Sequence, residues 1–158
     1  MEFLNRLNAE WEVATRRLSP RVLIDLLERT DPQVAELFAA LDPFALAIFP
    51  VAWAGESQSL NWMDIAREYT EKWHHMQQIF DATGRASTSV EKRLFQPCVE
   101  TFMRALPFTF RGVDAAEGAT VCVEILGAAG GEWWIAQSGV AWSWIESPNE
   151  AATAYFSI

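Results

Sequence analysis

The chain has 158 residues, half of them hydrophobic and 13% aromatic, which is enough to bury one sizeable core or two small ones. A net charge of -9 argues against nucleic acid or an anionic membrane surface as partner, because both select clustered Lys and Arg. No stretch is apolar enough to span a membrane, and the charges within residues 1–11 do not suit a signal peptide, so the expected location is the cytoplasm.

Phe3, Leu4, Leu7, Trp11, Ala14 and Leu18 recur at threes and fours, predicting an amphipathic helix over residues 2–18. Ser19 and Pro20 form a cap and first-turn signal for a second helix, with Val22, Leu23, Leu26 and Leu27 as its apolar residues. Asp31 and Pro32 predict a kink or a fresh first turn before Val34, Leu37, Phe38 and Leu41. Residues 44–62 are apolar but irregular, broken by Pro50 and Gly55. A connection of that length in a compact domain is often functional, and Phe49, Trp53 and Trp62 are candidate pocket walls, with packing of the bundle core as the plainer alternative.

Residues 64–84, DIAREYTEKWHHMQQIFDATG, hold both histidines of the chain and read as one long helix. Ser59 or Asn61 supplies the N-cap, Asp64 sits in the first turn, and Gly84 is the left-handed stop. Glu71 and His75, four apart, share a face and suit two ligands of zinc or a similar divalent ion, with His74 beside them. Surface pairing of Glu71 with Lys72 or Arg67, and solvated or half-buried histidines, is the alternative.

Beyond Gly84, Arg85–Ser89 reads as a polar linker, and Gln96 and Pro97 open a helix to about Leu106 that Pro107 ends. From Ala119 the period changes to two. Residues 121–125, EWWIAQS (132–138) and VAWSWIE (140–146) predict an antiparallel meander with turns at Gly127–Gly131 and at Ser138 and Gly139, and helix 97–106 covering one face. A last strand near Thr153–Phe156 would be an exposed edge. Trp134 and Trp142 are candidate walls of an apolar pocket, with ordinary core packing as the alternative. Cys98 and Cys122 are far apart and form no C-x-x-C pair, so buried thiols are expected. Nucleotide-binding glycine motifs, the serine-hydrolase elbow and fixed-period repeats are absent.

The runs REYTEKWHHMQQIFDA (67–82) and FLNRLNAEWEVATRRLSPRVLIDLL (3–27) resemble actinobacterial proteins related to the mycothiol-dependent maleylpyruvate isomerases, within the wider DinB/YfiT-like group. The resemblance implies a metal-binding antiparallel helical bundle, a metal pair at Glu71 and His75, and a C-terminal domain similar to a sterol carrier protein. The family's first histidine belongs to a helix that would precede Phe3. The expectation is therefore a shortened or partial member, lacking the first helix and with an incomplete metal site. Together these readings give an α+β chain: an incomplete DinB-like antiparallel helical bundle over residues 1–84, then a small antiparallel β-meander packed on a helix over 85–158. The implied activity is a metal-dependent isomerase or thiol transferase acting on a small molecule, with zinc and mycothiol as cofactors. The alternative is a non-catalytic small-ligand-binding or interaction protein that has lost the metal site. A stripe left uncovered by the missing helix favours a homodimer.

Overall fold

A computed structural model describes residues 2–85, 91–148 and 151–158. These form an α+β chain of four main helices, two short helical turns and a four-stranded mixed sheet. The chain divides into two compact units, Met1–Asp42 and Pro43–Ile158.

The first unit is helical. Helix α1 spans Glu2–Thr15 and α2 spans Pro20–Ala40, with Ser19 accepting the Val22 N–H through its hydroxyl and Pro20 opening the first turn. The fresh first turn expected at Pro32 does not occur: α2 is one continuous helix with Pro32 inside it. Pro32 cannot donate to the Glu28 carbonyl, but side-chain donors reinforce the flanking turns: Thr30 Oγ1 bonds Leu26 O at 2.9 Å and Gln33 Nε2 bonds Arg29 O at 3.0 Å. Neither helix has a buried residue.

The second unit holds all of the buried residues among those described. Its opening connection is clipped at its base. Ala47 N–H donates to Ser59 O and Asn61 N–H to Ala45 O, both at 2.9 Å, and Trp62 N–H reaches Pro43 O at 3.0 Å. Inside the loop, buried Ser59 accepts from Val51 N–H at 2.7 Å and donates to the Glu56 carboxylate. A single 3₁₀ turn, Ala52–Ala54, ends on Gly55 at φ 80°, where a Cβ would lie 2.5 Å from the Phe108 ring.

Helix α3, Asn61–Thr83, follows directly. Leu60, rather than Ser59 or Asn61, is its N-cap and offers no side-chain bond, because Ser59 is already committed to Val51 and Glu56. Gly84 ends the helix in the left-handed conformation at φ 64°, where it has open space around it. Met63 and Thr70 are buried, and Trp73 continues that stripe, stacking on Phe95 of α4 at 4.7 Å and 18°. Tyr69 Oη donates to Leu94 O at 2.9 Å and adds a second tie.

Helix α4, Lys92–Met103, starts five residues before the expected Pro97, which lies inside it. The N–H groups of Leu94 and Phe95 both reach Glu91 O at 2.9 Å, and the Trp73–Phe95 stack rewards this early turn. Pro107 does not simply stop the helix but opens a further turn, α5, Leu106–Thr109. The expected linker lies outside the described residues from Ala86 onward.

Strands β1 (Thr120–Ile125), β2 (Gly131–Ser138) and β3 (Ala141–Ile145) form the expected antiparallel meander. The fourth strand, β4 (Ala154–Ser157), corrects the wholly antiparallel expectation: it lies parallel to β1, giving the order β3-β2-β1-β4. Reciprocal bonds between Thr120 and Thr153 and the short bond from Tyr155 Oη to Glu124 fix this pairing. The register puts Val121, Val123, Ile135, Trp142 and Trp144 on one face, with Cys122, Glu124, Glu132 and Trp134 on the other. Met103, Leu106 and Phe110 pack on the first face around Ala119, Val121, Val123, Ile135 and Trp142, as the expectation of a covering helix requires.

Candidate functional site: an aromatic cleft beside the histidine helix

The outward stripe of α3 carries the residues singled out for metal. His75 Nε2 stands 3.6 Å from Glu71 Oε2, while His75 Nδ1 pairs with Gln78 Oε1 at 2.9 Å. His74 turns to the same glutamine, its Nε2 lying 3.1 Å from Gln78 Nε2. The two imidazoles are 5.9 Å apart at 57° and are engaged separately, so Glu71 and His75 come together and His74 does not join them on one point. Glu71 and His75 are both largely exposed, in high-dielectric surroundings where their attraction is weak. Among the described residues no group of three His, Cys, Asp or Glu side chains converges. A zinc centre normally has three or four protein ligands, and the donors on this face amount to two.

On the opposite side of the same helix, in its first turns, Trp62 and Ala66 border a cleft of about 420 Å³. Helix α4 supplies Pro97, Glu100, Thr101 and Met103, and its C-cap residue Arg104 follows them, while the sheet closes the cleft with Trp133 and Trp144. This volume falls in the range of small-molecule sites, and polar groups are set among aromatic walls. Local sequence explains each wall. Trp133 and Trp144 share the face that Ile135 buries, on the neighbouring strands β2 and β3, and because Gly131 has no side chain the Trp133 ring passes close over it: a Cβ there would lie 3.2 Å from the ring. Trp62 sits in the first turn of α3, and the Arg104 guanidinium lies over its ring, 4.7 Å from the centroid.

The polar groups of the cleft are unequal. Thr101 Oγ1 donates to Pro97 O at 2.7 Å, and Glu100 Oε1 accepts from Gln96 Nε2 at 2.9 Å. Arg104 has no carboxylate within salt-bridge reach among the described residues, and the indole N–H groups of Trp62, Trp133 and Trp144 have no hydrogen-bond partner there. By contrast, Trp134 Nε1 donates to Glu132 at 3.0 Å and Trp142 Nε1 to Val113 O at 3.1 Å. Just outside the cleft, Arg67 faces Asp64 at 2.8 Å and Glu68 at 3.0 Å, so the neighbouring arginine is paired. The Asp64 contact is a close approach of charges rather than a directed bond, leaving Asp64 Oδ1 and Arg67 Nε without a directed partner among the described residues.

Of the aromatic residues expected to wall a pocket, Trp62 does so, Trp53 packs on Phe102 at 6.1 Å, and Phe49 lies half-exposed away from the cleft. Trp142 borders a second, smaller apolar cavity of about 260 Å³ with Phe110, Val113 and Phe156, while Trp134 faces the other side of the sheet. Arg104, Trp133 and Trp144 were not singled out as cleft residues by pattern. Alternation in EWWIAQS separates Trp133 from Trp134, but only the register with β3 brings Trp144 near Trp133.

Both cysteines are buried, as expected. Burial raises the Cys98 thiol to about 11, and burial, followed by Glu132 and Glu124, raises that of Cys122. Neither is a nucleophile near neutral pH. None of the described helices is long and apolar enough to cross a membrane. Comparisons of the chain with protein-family models, curated proteins and solved structures give no match.

Proposed function

We propose that this chain is a small-ligand-binding protein whose ligand lies in the cleft between α3, α4 and the sheet. The observation that carries this reading is the wall of Trp62, Trp133 and Trp144 around about 420 Å³ of space, on rigid elements and with a cation at its edge. A planar aromatic ligand gains area burial and ring stacking there at little conformational cost. Trp144 is the most exposed of the three rings and supports the core least. Titrating the chain with naphthalene-type compounds should give saturable quenching of tryptophan fluorescence, weakened about tenfold in Trp144→Ala, the equivalent of about 1.4 kcal/mol of stacking. No saturable change with any planar ligand would refute the reading.

A second reading keeps the family resemblance: an incomplete DinB-like bundle with a partial sterol-carrier-like part, acting as a metal-dependent isomerase or transferase with a mycothiol-type cofactor. It is supported by the 3.6 Å approach of Glu71 and His75 on one helix face. Under this reading both bind a divalent ion such as zinc, completed by a donor from another chain or segment. About one metal per chain or per dimer by elemental analysis, lost in both Glu71→Ala and His75→Ala, is the expected result. A metal-free folded parent protein after zinc loading and dialysis would rule it out.

A further inference from the structure

Resting on the proposed ligand cleft, we infer that its ligand is an aromatic carboxylate, with the ring between the tryptophans and the carboxylate on Arg104. Three observations made independently of one another converge on this chemistry.

The first is the state of Arg104. In a chain of net charge -9, Arg104 is the one cation in the cleft wall among the described residues, and it has no carboxylate partner among them. Its neighbour Arg67, on the helix across the cleft, is held by two acids. Arg104 instead rests on the face of Trp62, a contact that leaves the N–H groups in the plane of its guanidinium open to an acceptor. A carboxylate matches that fork with two parallel charge-assisted bonds.

The second is the set of indole donors. Trp134 and Trp142 donate their indole N–H to the protein, whereas Trp62, Trp133 and Trp144, like Trp11 and Trp53 outside the cleft, have no acceptor for theirs among the described residues. Four donor side chains therefore border one space with no protein acceptor assigned to them. A ligand rich in acceptors satisfies such a site, and one rich in donors does not.

The third is the placement of Glu100, the only acid in the wall among the described residues. Glu100 lies one helical turn before Arg104, and its Oε1 is tied back to the Gln96 amide at 2.9 Å. The anionic end of a ligand is thereby driven away from the Pro97 and Gln96 end of α4 and toward Arg104. The positive and negative sides of the cleft thus fix one orientation for a ligand with a ring at one end and a charge at the other.

The test compares naphthoate with its neutral amide, naphthamide, by calorimetry on the full chain at low and high salt. The expected result is binding of naphthoate about tenfold tighter than naphthamide at low salt, with the difference shrinking as salt is raised. Arg104→Gln should bring naphthoate down to the level of naphthamide and leave naphthamide itself nearly unchanged, while Arg104→Lys retains part of the preference. Circular dichroism of both variants checks the fold. Equal affinity of the parent chain for the two compounds, or a preference that survives Arg104→Gln, overturns the carboxylate assignment while leaving the cleft reading intact. Failure of both compounds to bind overturns the two together.

Discussion

Leu27 in α2 and Ile135 in β2 are both aliphatic residues in regular secondary structure, yet Leu27 is 57% exposed and Ile135 is completely buried. The contrast extends to the whole of each unit. Phe3, Leu7 and Trp11 in α1 and Val22, Leu26 and Leu37 in α2 repeat at helical spacing and remain in contact with water, while Val121, Val123 and Trp142 lie under Met103, Leu106 and Phe110. Helical periodicity prescribes a stripe, but a second surface must be present before the stripe contributes burial free energy. In the second unit the sheet and the segment from the end of α4 through α5 supply that surface to each other.

The sharpest way to break this comparison is to delete side chains on both sides of it. Ile135→Ala should lower stability by about 2–5 kcal/mol in urea unfolding, since it empties a fully enclosed position next to Trp142. Second in size is a pH effect confined to the second unit. The Cys98 thiol is raised to about 11, so the folded state holds its proton more tightly than the unfolded state does. The associated stability is fully present below the ordinary thiol range of about 8.5 and is lost as pH rises toward about 11. Urea midpoints should fall across that window in the parent chain, and less steeply in Cys98→Ala. The smallest effect is expected in the first unit, where Leu27→Ala should change stability by less than about 0.5 kcal/mol. A cost for Leu27→Ala approaching that of Ile135→Ala would break the comparison, and it would mean that another surface covers the α1 and α2 stripes in solution.

The elements were largely legible in the sequence, and the exceptions share a cause. Long amphipathic segments and alternating strands declare themselves through spacing, so α1, α3 and the meander fall where the pattern puts them. The prolines misled because their local cost was read without the contacts that offset it: Pro97 is carried within α4 by the stack of Phe95 on Trp73, and Pro32 within α2 by side-chain donors to nearby carbonyls. Strand β4 was visible as a strand, but its parallel direction depends on Thr153 and Tyr155 meeting Thr120 and Glu124, which no local pattern encodes. The cleft was legible only in part. Trp62 stood out as an aromatic residue at a helix start, whereas Arg104 and Trp144 acquire a role through α4 packing and strand register. Spacing alone places Glu71 beside His75, because i and i+4 geometry is local.

The parallel seam between β1 and β4 also sets an order of events. Strands β1 to β3 are joined by tight turns and can zip from either hairpin, but Val121 meets Ala154 only after 32 intervening residues have been looped. Closing that loop costs more chain entropy than closing either hairpin, and no part of it is recovered until the pairing exists. The β1 edge therefore stays open while the meander forms, and β4 docks on it late. Interactions along that seam act mainly on the rate at which the unit comes apart, and little on the rate at which it assembles.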